Sequence, residues 1–341
     1  MMNVSDKIKY VGVDDLDIDL FESQYVVPEG MSYNSYVILD EKTAVMDTVD
    51  ARKTDEWINN VKVALGGKNL DYIVCLHMEP DHAGSMMKAM ETFPTAKVVG
   101  NAKTFTYMAQ LFDVKIEGRK VEVKDGESLS LGEHNLTFVC APMVHWPEVM
   151  VAYESSEKVL FAADAFGKFG AISKYDGDWA CEARRYYFNI CGKYGVQVQS
   201  LLKKAAALDI KTIAPLHGPV LKENLGYYID LYNTWSSYGV ESEGVLVAFA
   251  SIHGNTRKAA EKIASILEKQ GAKKVVVSDL SRDDEAEVIE DAFRYGRMII
   301  AAPTYDGGLF PPMESFLSHL KSKNYQKRTV GIIENGTWAP M

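Results

Sequence analysis

The sequence has few of the features that mark disulfide-stabilised or membrane-spanning proteins. Its 341 residues include only four cysteines, and no two of them form a C-x-x-C pair, which excludes a zinc ribbon and a rubredoxin-type iron site. We expect these thiols to be reduced, as in a cytosolic protein. No apolar run approaches the roughly 20 residues that a membrane span requires. The amino terminus lacks the apolar core of a signal peptide, so we expect a cytoplasmic protein.

Positive charge is also scarce. Lys and Arg number 37 against 47 Asp and Glu, which gives a formal net charge of −10. Proteins bind nucleic acid through basic surfaces that neutralise its phosphates, so an acidic chain argues against nucleic-acid binding. It favours a protein partner of complementary charge. With 47% hydrophobic and 25% charged residues the composition is that of a globular protein. Its length predicts two domains.

Short strands joined by turns, with helices between them, dominate the first two-thirds of the chain. Ser35–Leu39 and Thr43–Asp47 are predicted to form a hairpin around the polar turn between them. Thr54–Leu65 has helical spacing and ends at a pair of glycines. The pattern predicts an α/β domain over residues 1–241, an αββα sandwich of two sheets with helices outside.

Strand, loop and helix alternate in the remainder, residues 242–341. An apolar strand at Gly244–Ala250 is followed by a polar loop and an amphipathic helix at Thr256–Gln270. This alternation predicts a doubly wound parallel sheet. A five-stranded domain of this kind needs a further helix, strand and helix after the strand at Val330–Glu334. We therefore expect the domain to be incomplete at its carboxyl end.

Four potential metal ligands occur within six residues, in the run His77-Met78-Glu79-Pro80-Asp81-His82. The run directly follows an apolar strand predicted at Asp71–Leu76. In a loop after a strand, His77, Glu79 and Asp81 project to one side, and His82 turns in at the start of the next helix. A solvent-exposed run of charges explains His77–His82 poorly, because the run directly follows a strand that is predicted to be buried. The simpler alternative is a helix amino terminus that Asp81 caps.

Three further candidates follow other predicted strands. His145 comes after the strand at Leu136–Cys140, while Asp164 and His217 each follow a later strand directly. A lone histidine is usually a core or surface residue. Ligand-type residues at the ends of successive strands converge on one edge of the sheets, however, and together with His77–His82 they predict a metal site.

Loops at the carboxyl ends of the predicted parallel strands contain the small and polar residues that bind a phosphate and a ring. The first loop lies at a helix amino terminus, and a plain capping turn is its simpler explanation. Tyr305 and Trp338 are equally compatible with core packing. The absence of G-x-G-x-x-G favours a mononucleotide over a dinucleotide. The candidate residues are Ser251, His253, Gly254, Asn255, Thr256, Pro303, Thr304, Tyr305, Asp306, Gly307, Asn335, Gly336 and Trp338.

These motifs resemble those of the flavodiiron proteins over roughly residues 20–341. The order H-x-[HE]-x-D-H followed by His, Asp and His is similar to the metallo-β-lactamase superfamily. Glu79 stands where most hydrolytic members have histidine, and flavodiiron proteins have glutamate there. The runs DAFGKFG from Asp164, SIHGNT from Ser251 and NGTWAP from Asn335 also match the family.

The resemblance implies two irons and one FMN. His77, Glu79 and His145 then bind one iron, and Asp164 bridges to the second. The ligands of that second iron are then Asp81, His82 and His217. A carboxylate in place of an imidazole adds negative charge and a hard oxygen ligand, which favours iron over zinc.

The resemblance also implies an oxidoreductase that reduces dioxygen to water or nitric oxide to nitrous oxide and protects an anaerobe. Electrons then come through FMN from rubredoxin, or from a rubredoxin or flavin reductase. A head-to-tail homodimer, or a dimer of dimers, is implied as well. Two alternatives stay open: a zinc hydrolase, and a flavodoxin-like electron carrier with a degenerate metal domain.

Overall fold

The computed structural model describes residues 4–113 and 116–335. They form two compact units. The first comprises the described residues up to Ala183 together with Gln197–Ile229. The second comprises Arg184–Val196 and the described residues from Asp230 onward. The predicted domain border between residues 241 and 242 stays a prediction.

The first unit contains two sheets. One has the strand order β1-β6-β7-β8-β9-β10, and the other has the order β11-β12-β13-β14-β15. The predicted hairpin is present as β6 and β7, which pair antiparallel. The strands of the first sheet are β1 Ile8–Tyr10, β6 Tyr36–Ile38, β7 Ala44–Met46, β8 Tyr72–Val74, β9 Lys97–Gly100 and β10 Lys120–Glu122. Those of the second are β11 Ser128–Ser130, β12 Asn135–Cys140, β13 Met150–Glu154, β14 Val159–Phe161 and β15 Thr212–Ala214.

The two sheets pack face to face through apolar side chains. Tyr36 of β6 contacts Phe161 of β14, with ring centroids 5.5 Å apart, and both side chains are buried. Two small antiparallel ribbons precede β6. They are β2 Val13–Asp15 with β5 Met31–Tyr33, and β3 Leu20–Phe21 with β4 Tyr25–Val26.

Helices follow the strands. The predicted helix at Thr54–Leu65 is observed, and it ends where Gly66 adopts a left-handed conformation with φ 57°. Its buried residues are spaced along one face, so it packs on the sheet as an amphipathic helix does. The helices up to the end of the first unit are α1 Thr54–Leu65, α2 Pro80–Ala83, α3 Met86–Thr92, α4 Ala102–Leu111, α5 Ala180–Tyr186, α6 Gly195–Ala205 and α7 Leu225–Ser236.

The second unit is built on a parallel sheet, as the sequence predicts. Its strand order is β17-β16-β18-β20, with the short strand β19 antiparallel to the end of β18. The first strand in the chain thus lies between the second and the third, which creates a topological switch point between β16 and β18. The elements are β16 Ser242–Phe249, α8 Asn255–Lys269, β17 Val275–Asp279, α9 Glu285–Arg294, β18 Tyr295–Tyr305, β19 Gly308–Leu309, α10 Pro311–Ser322 and β20 Thr329–Asn335.

Arg184–Val196 joins the second unit through buried ion pairs, which the sequence did not predict. Arg184 donates from Nε and Nη2 to the carboxylate of Glu241, at 2.6 and 2.8 Å, and from Nη1 to Glu290 at 3.1 Å. Trp235 also donates to Glu241 from its indole nitrogen, at 2.6 Å. The fork of the guanidinium matches the carboxylate and fixes the segment in place.

Across residues 4–113 and 116–335, no helix is both long enough and apolar enough to span a bilayer.

Candidate metal centre and flavin loops

The structure brings all the metal ligands predicted from the sequence together in the first unit. His77 and Glu79 lie between β8 and α2, and Asp81 and His82 belong to α2 itself. The remaining three follow strands of the second sheet, where the chain leaves β12, β14 and β15; they are His145, Asp164 and His217. The strands therefore converge on one edge, as expected. That these residues ligate metal stays a proposal.

One half of the cluster gathers around Glu79. Its Oε2 lies 3.1 Å from Nε2 of His77 and 2.9 Å from Nε2 of His145. Both imidazole nitrogens are also near Oδ2 of Asp164, at 3.3 and 3.2 Å. Two nitrogens and two carboxylates thus point at a common centre, the donor set of a transition-metal site.

The other half gathers around Asp81. Its Oδ2 lies 3.2 Å from Nε2 of His82 and 3.2 Å from Nε2 of His217. Oδ1 of Asp164 is 3.0 Å from His82 and 3.8 Å from His217. Asp164 therefore directs one oxygen at each half of the cluster. This is the arrangement that a bridging carboxylate needs.

The buried polar atoms of the cluster show that it is suited to cations. Neither oxygen of Asp164 accepts a hydrogen bond with proper geometry within the described residues, although both lie close to imidazole nitrogens. The same holds for both oxygens of Asp81 and both ring nitrogens of His82. Such unsatisfied groups are costly inside a protein. Two bound metal ions would satisfy them, so the residues fit a two-metal centre.

The charged groups of the cluster shift one another's pKa values. Burial alone would lower the pKa of His145, but the carboxylates of Asp164 and Glu79 raise it to about 9. Burial would raise the pKa of Asp164, but His77 and His82 lower it well below its usual value. These charges favour the imidazolium form of His145 and the carboxylate form of Asp164. Metal binding at His145 would release its proton.

Two buried acids that the sequence analysis missed support the ligands from behind. Oε1 of Glu148 lies 2.8 Å from Nδ1 of His77 and accepts the N–H of Met78 at 2.9 Å. Asp47 accepts the N–H groups of Leu76 and His77, at 2.7 and 3.3 Å. A carboxylate behind a histidine fixes its tautomer and raises its basicity as a ligand. Burial raises the pKa of Asp47 to about 7.

The loop that carries His217 is held by residues of a distant segment. Ser32 accepts from Nδ1 of His217 through its carbonyl oxygen, at 2.7 Å. The side-chain amide of the buried Asn34 donates to the carbonyls of Pro215 and Gly218, at 2.9 and 2.8 Å. These bonds leave Nε2 of His217 facing the cluster. The sequence analysis assigned no role to Ser32 or Asn34, because only the fold brings them together with the loop.

Four non-glycine residues beside the cluster have left-handed backbone. Asp47, Met143, Ala163 and Phe166 have φ of 55°, 66°, 51° and 65°. Non-glycine residues rarely adopt this conformation, and it persists where the surroundings over-determine it. Ala163 directly precedes the proposed bridging residue Asp164. The surrounding structure therefore holds these four residues in an unfavourable backbone conformation next to the proposed ligands.

The predicted flavin loops lie at the carboxyl edge of the parallel sheet in the second unit. Between β16 and α8, the N–H of Gly254 donates to Oγ of Ser251 at 3.0 Å and closes the turn. Gly254 has φ +84°, and a Cβ there would meet only open space, so the turn is free to receive a ligand. Asn255 starts α8 and Thr256 is buried in its first turn. His253 is exposed.

The other two loops leave the same edge. Pro303, Thr304 and Tyr305 end β18, and Asp306 and Gly307 form its turn into β19. The ring of Tyr305 contacts Phe310, with centroids 5.6 Å apart, and the residue is exposed, which does not match a core role. Asn335 ends β20, while Gly336 and Trp338 lie outside the described residues. The switch point between β16 and β18 is where such sheets bind ligands. FMN binding by these residues stays a proposal.

Two family models match the two parts of the chain. Residues 31–218 match the ODP family of β-lactamases, and residues 246–339 match a flavodoxin domain. Fold and site together therefore define a metallo-β-lactamase-like domain joined to a flavodoxin domain, as the sequence predicts.

Several known proteins resemble almost the whole chain. A nitric oxide reductase of Moorella thermoacetica is 32% identical over 326 residues, which cover 93% of this chain and 81% of the relative. The flavodiiron protein from Giardia intestinalis superposes with a TM-score of 0.93 at 25% identity, covering 98% of this chain and 83% of that one. The rubredoxin oxygen:oxidoreductase from Desulfovibrio gigas superposes with a TM-score of 0.92 at 26% identity, covering 99% of this chain and 86% of that one. The chain belongs to the flavodiiron protein family.

Proposed function

We propose that this protein is an oxidoreductase that reduces dioxygen to water or nitric oxide to nitrous oxide. The single observation that carries the proposal is the paired cluster, in which Asp164 directs one oxygen at each half. Two metal ions held on either side of a shared carboxylate could share the charge that develops on a substrate. The names of the relatives, a nitric oxide reductase and an oxygen oxidoreductase, support the same chemistry.

The donor set favours iron. Glu79 offers a hard oxygen in the first half, so each half combines carboxylate with imidazole. Bound FMN would supply electrons, and the iron pair would supply adjacent positions for the gas. His77, Glu79 and His145 would hold one iron, with Asp164 shared. Asp81, His82 and His217 would hold the other.

The FMN site would lie at the switch point of the parallel sheet. The first turn of α8 and the loop from Ser251 would receive the phosphate, because amide groups at a helix amino terminus favour an anion. The loop from Pro303 to Gly307 and the residues from Asn335 onward would bound the ring. Gly336 and Trp338 belong to this proposal on sequence alone.

An electron donor and a second subunit complete the proposal. The names flavorubredoxin and rubredoxin oxygen:oxidoreductase among the similar proteins favour rubredoxin, or a rubredoxin or flavin reductase, as the donor. We propose a cytoplasmic head-to-tail homodimer, or a dimer of dimers, in which the FMN of one subunit serves the irons of the other. Protection of an anaerobe from oxygen or nitric oxide is the role that this activity would serve. The reductase names give no support to the zinc hydrolase.

Anaerobic reduction followed by mixing with each gas tests the activity. We expect reduced protein to consume dioxygen or nitric oxide rapidly, and the faster gas identifies the preferred substrate. The matched variant is Asp164→Asn, which keeps the size of the side chain but removes the charge shared by both halves; we expect it to lose the activity. Reduced, metal-loaded wild-type protein that consumes neither gas would contradict the proposal.

A further inference from the structure

The side chain of Trp146 lies against two of the proposed metal ligands. Its indole stands nearly perpendicular to the imidazole of His77, with ring centroids 5.4 Å apart and an interplanar angle of 87°. It contacts the imidazole of His145 at 6.3 Å and 72°, and the two imidazoles are themselves 5.2 Å apart at 77°. Three rings therefore pack edge to face, an arrangement that aromatic rings favour. Both histidines belong to the half of the cluster that gathers around Glu79.

Helix α4 supports the segment that carries the indole. The ring of Tyr107, on α4, contacts the ring of Trp146 with centroids 6.3 Å apart. At the amino terminus of the helix, Asn101 donates from its side-chain amide to the backbone carbonyl of Glu148 at 2.6 Å. The backbone N–H of Met143 donates to the carbonyl of Trp146 at 2.8 Å. Both ends of the segment 146–148 are thus held by α4, and its first residue is also tied to the loop before it.

The histidines of the cluster differ in what holds their second ring nitrogen. Nδ1 of His77 lies 2.8 Å from Glu148, and Nδ1 of His217 lies 2.7 Å from the carbonyl oxygen of Ser32. Among the described residues, no hydrogen bond involves Nδ1 of His145. A bond at this nitrogen usually fixes the plane of a ligating imidazole, whose ring torsion is otherwise broad. The orientation of His145 therefore depends on the rings packed against it.

The other half of the cluster is supported by a different part of the same unit. Phe21 packs on His217 with ring centroids 5.5 Å apart, and the ring of His82 lies 4.6 Å from that of His217. Within the part of the chain that the structure describes, Trp146 makes no ring contact with His82 or His217. Removal of the indole should therefore disturb one half of the cluster and leave the other in place.

We propose that Trp146 is a positioning residue of the metal centre, whose indole holds the imidazoles of His77 and His145 in the orientation that binds the metal ion of the half around Glu79. The inference rests on the proposed function in taking these histidines as metal ligands, and it does not depend on which gas is reduced. Without the indole, the imidazole of His145 can turn about its bond to Cβ, so this half binds its metal ion more weakly. The half around Asp81 keeps its own supports.

Retention of iron tests this role in three variants. Trp146→Ala removes the ring and Trp146→Phe keeps an aromatic ring in its place. Tyr72→Ala is the control, because this equally half-buried ring lies at the amino end of β8 and contacts Lys42. Each metal-free protein is loaded anaerobically with ferrous iron and titrated with a chelator. We expect Trp146→Ala to bind one of its two ferrous ions about tenfold more weakly than wild type, the usual size of a loss of ligand support. The other two variants should retain both ions as wild type does.

Tryptophan fluorescence gives a second readout that needs no turnover. Co²⁺, which quenches a nearby indole, is titrated into the metal-free protein. We expect the ion that enters the half around Glu79 to quench the emission of wild type and of Tyr72→Ala. In Trp146→Phe this quenching should be lost, although the protein binds the same two ions.

Three results would overturn the positioning role of Trp146. They are unchanged retention of both ferrous ions in Trp146→Ala, an equal loss of both, or quenching in Trp146→Phe that equals that of wild type. Wild-type protein that binds two ferrous ions and reduces neither gas would instead refute the proposed function, and the half-selective loss in Trp146→Ala would still establish the role of the indole.

Discussion

At the scale of single residues, the seven proposed ligands are predictable from the sequence because each one follows a strand or begins a helix at one edge of the fold. The residues that hydrogen-bond to these ligands and to their loops are not predictable in this way. Asn34 and Pro215 are 181 positions apart, and His77 and Glu148 are 71 apart. No local pattern relates such residues, since only the pairing of the sheets makes them neighbours. For Asp47 alone the sequence offered a signal, because this acid ends the apolar strand predicted at Thr43–Asp47.

Glu148 should influence metal retention without touching the metal. We expect Glu148→Gln to weaken iron binding by about 10- to 100-fold, the usual effect of removing a carboxylate that supports a ligating histidine. Transfer of iron to a competing chelator measures the change. Glu91→Gln, an exposed glutamate on α3, is the matched control and should retain iron as wild type does. Equal retention in Glu148→Gln would show that the carboxylate does not support His77.

At the scale of elements, a buried histidine connects two turns of the first unit. Nδ1 of His134 lies 2.8 Å from Asp40, which also accepts the backbone N–H of His134 at 2.7 Å, and Nε2 lies 3.2 Å from Glu157. The turn before β12 is thereby joined to the turn between β6 and β7. Burial would lower the pKa of His134, but the two carboxylates raise it.

The stabilisation by His134 should depend on pH. Its pKa is raised in the folded state, so its contribution is complete below the unfolded value of about 6.5 and is lost as pH rises through the folded value. We expect His134→Ala to lower the free energy of unfolding by about 1–3 kcal/mol at pH 6 and by less at pH 9. Urea unfolding at both values measures this. An equal loss at both would refute a charged imidazole.

The sequence pattern alone predicts no element over Arg184–Val196, and the structure groups this segment with the second unit. The reason is electrostatic, because Arg184 finds its carboxylates at Glu241 and Glu290. The helix α9, which carries Glu290, was likewise not predicted. By contrast, the parallel strands were predictable, because their apolar runs are continuous.

Arg184→Ala should destabilise the second unit. Removal of one partner from a buried ion pair costs about 3–5 kcal/mol, because the remaining carboxylates lose their buried counter-charge. We expect lower stability by chemical denaturation, followed by the fluorescence of bound flavin. Arg282→Ala, which removes a largely exposed arginine of the same unit, is the control and should change stability little. A loss confined to the control, or absent from both, would contradict the role of Arg184.

At the scale of the whole molecule, composition and domain order were predictable, whereas the assembly depends on surfaces that one chain does not reveal. We expect a homodimer, because electron transfer in the proposed arrangement uses the FMN of one subunit and the irons of the other. Sedimentation at the concentrations used for turnover measures the state. A monomer with a rapid transfer of electrons from flavin to iron would contradict the proposed assembly.

A two-iron centre combined with one FMN is tested most directly by the metal and flavin content of the protein. The measurement is iron, zinc and FMN per chain in protein purified without added metal. We predict about two irons and one FMN per chain, with little zinc, because each half of the cluster combines a carboxylate with imidazoles. Zinc in both halves without flavin, in protein that consumes neither gas, would contradict the account and favour a hydrolase.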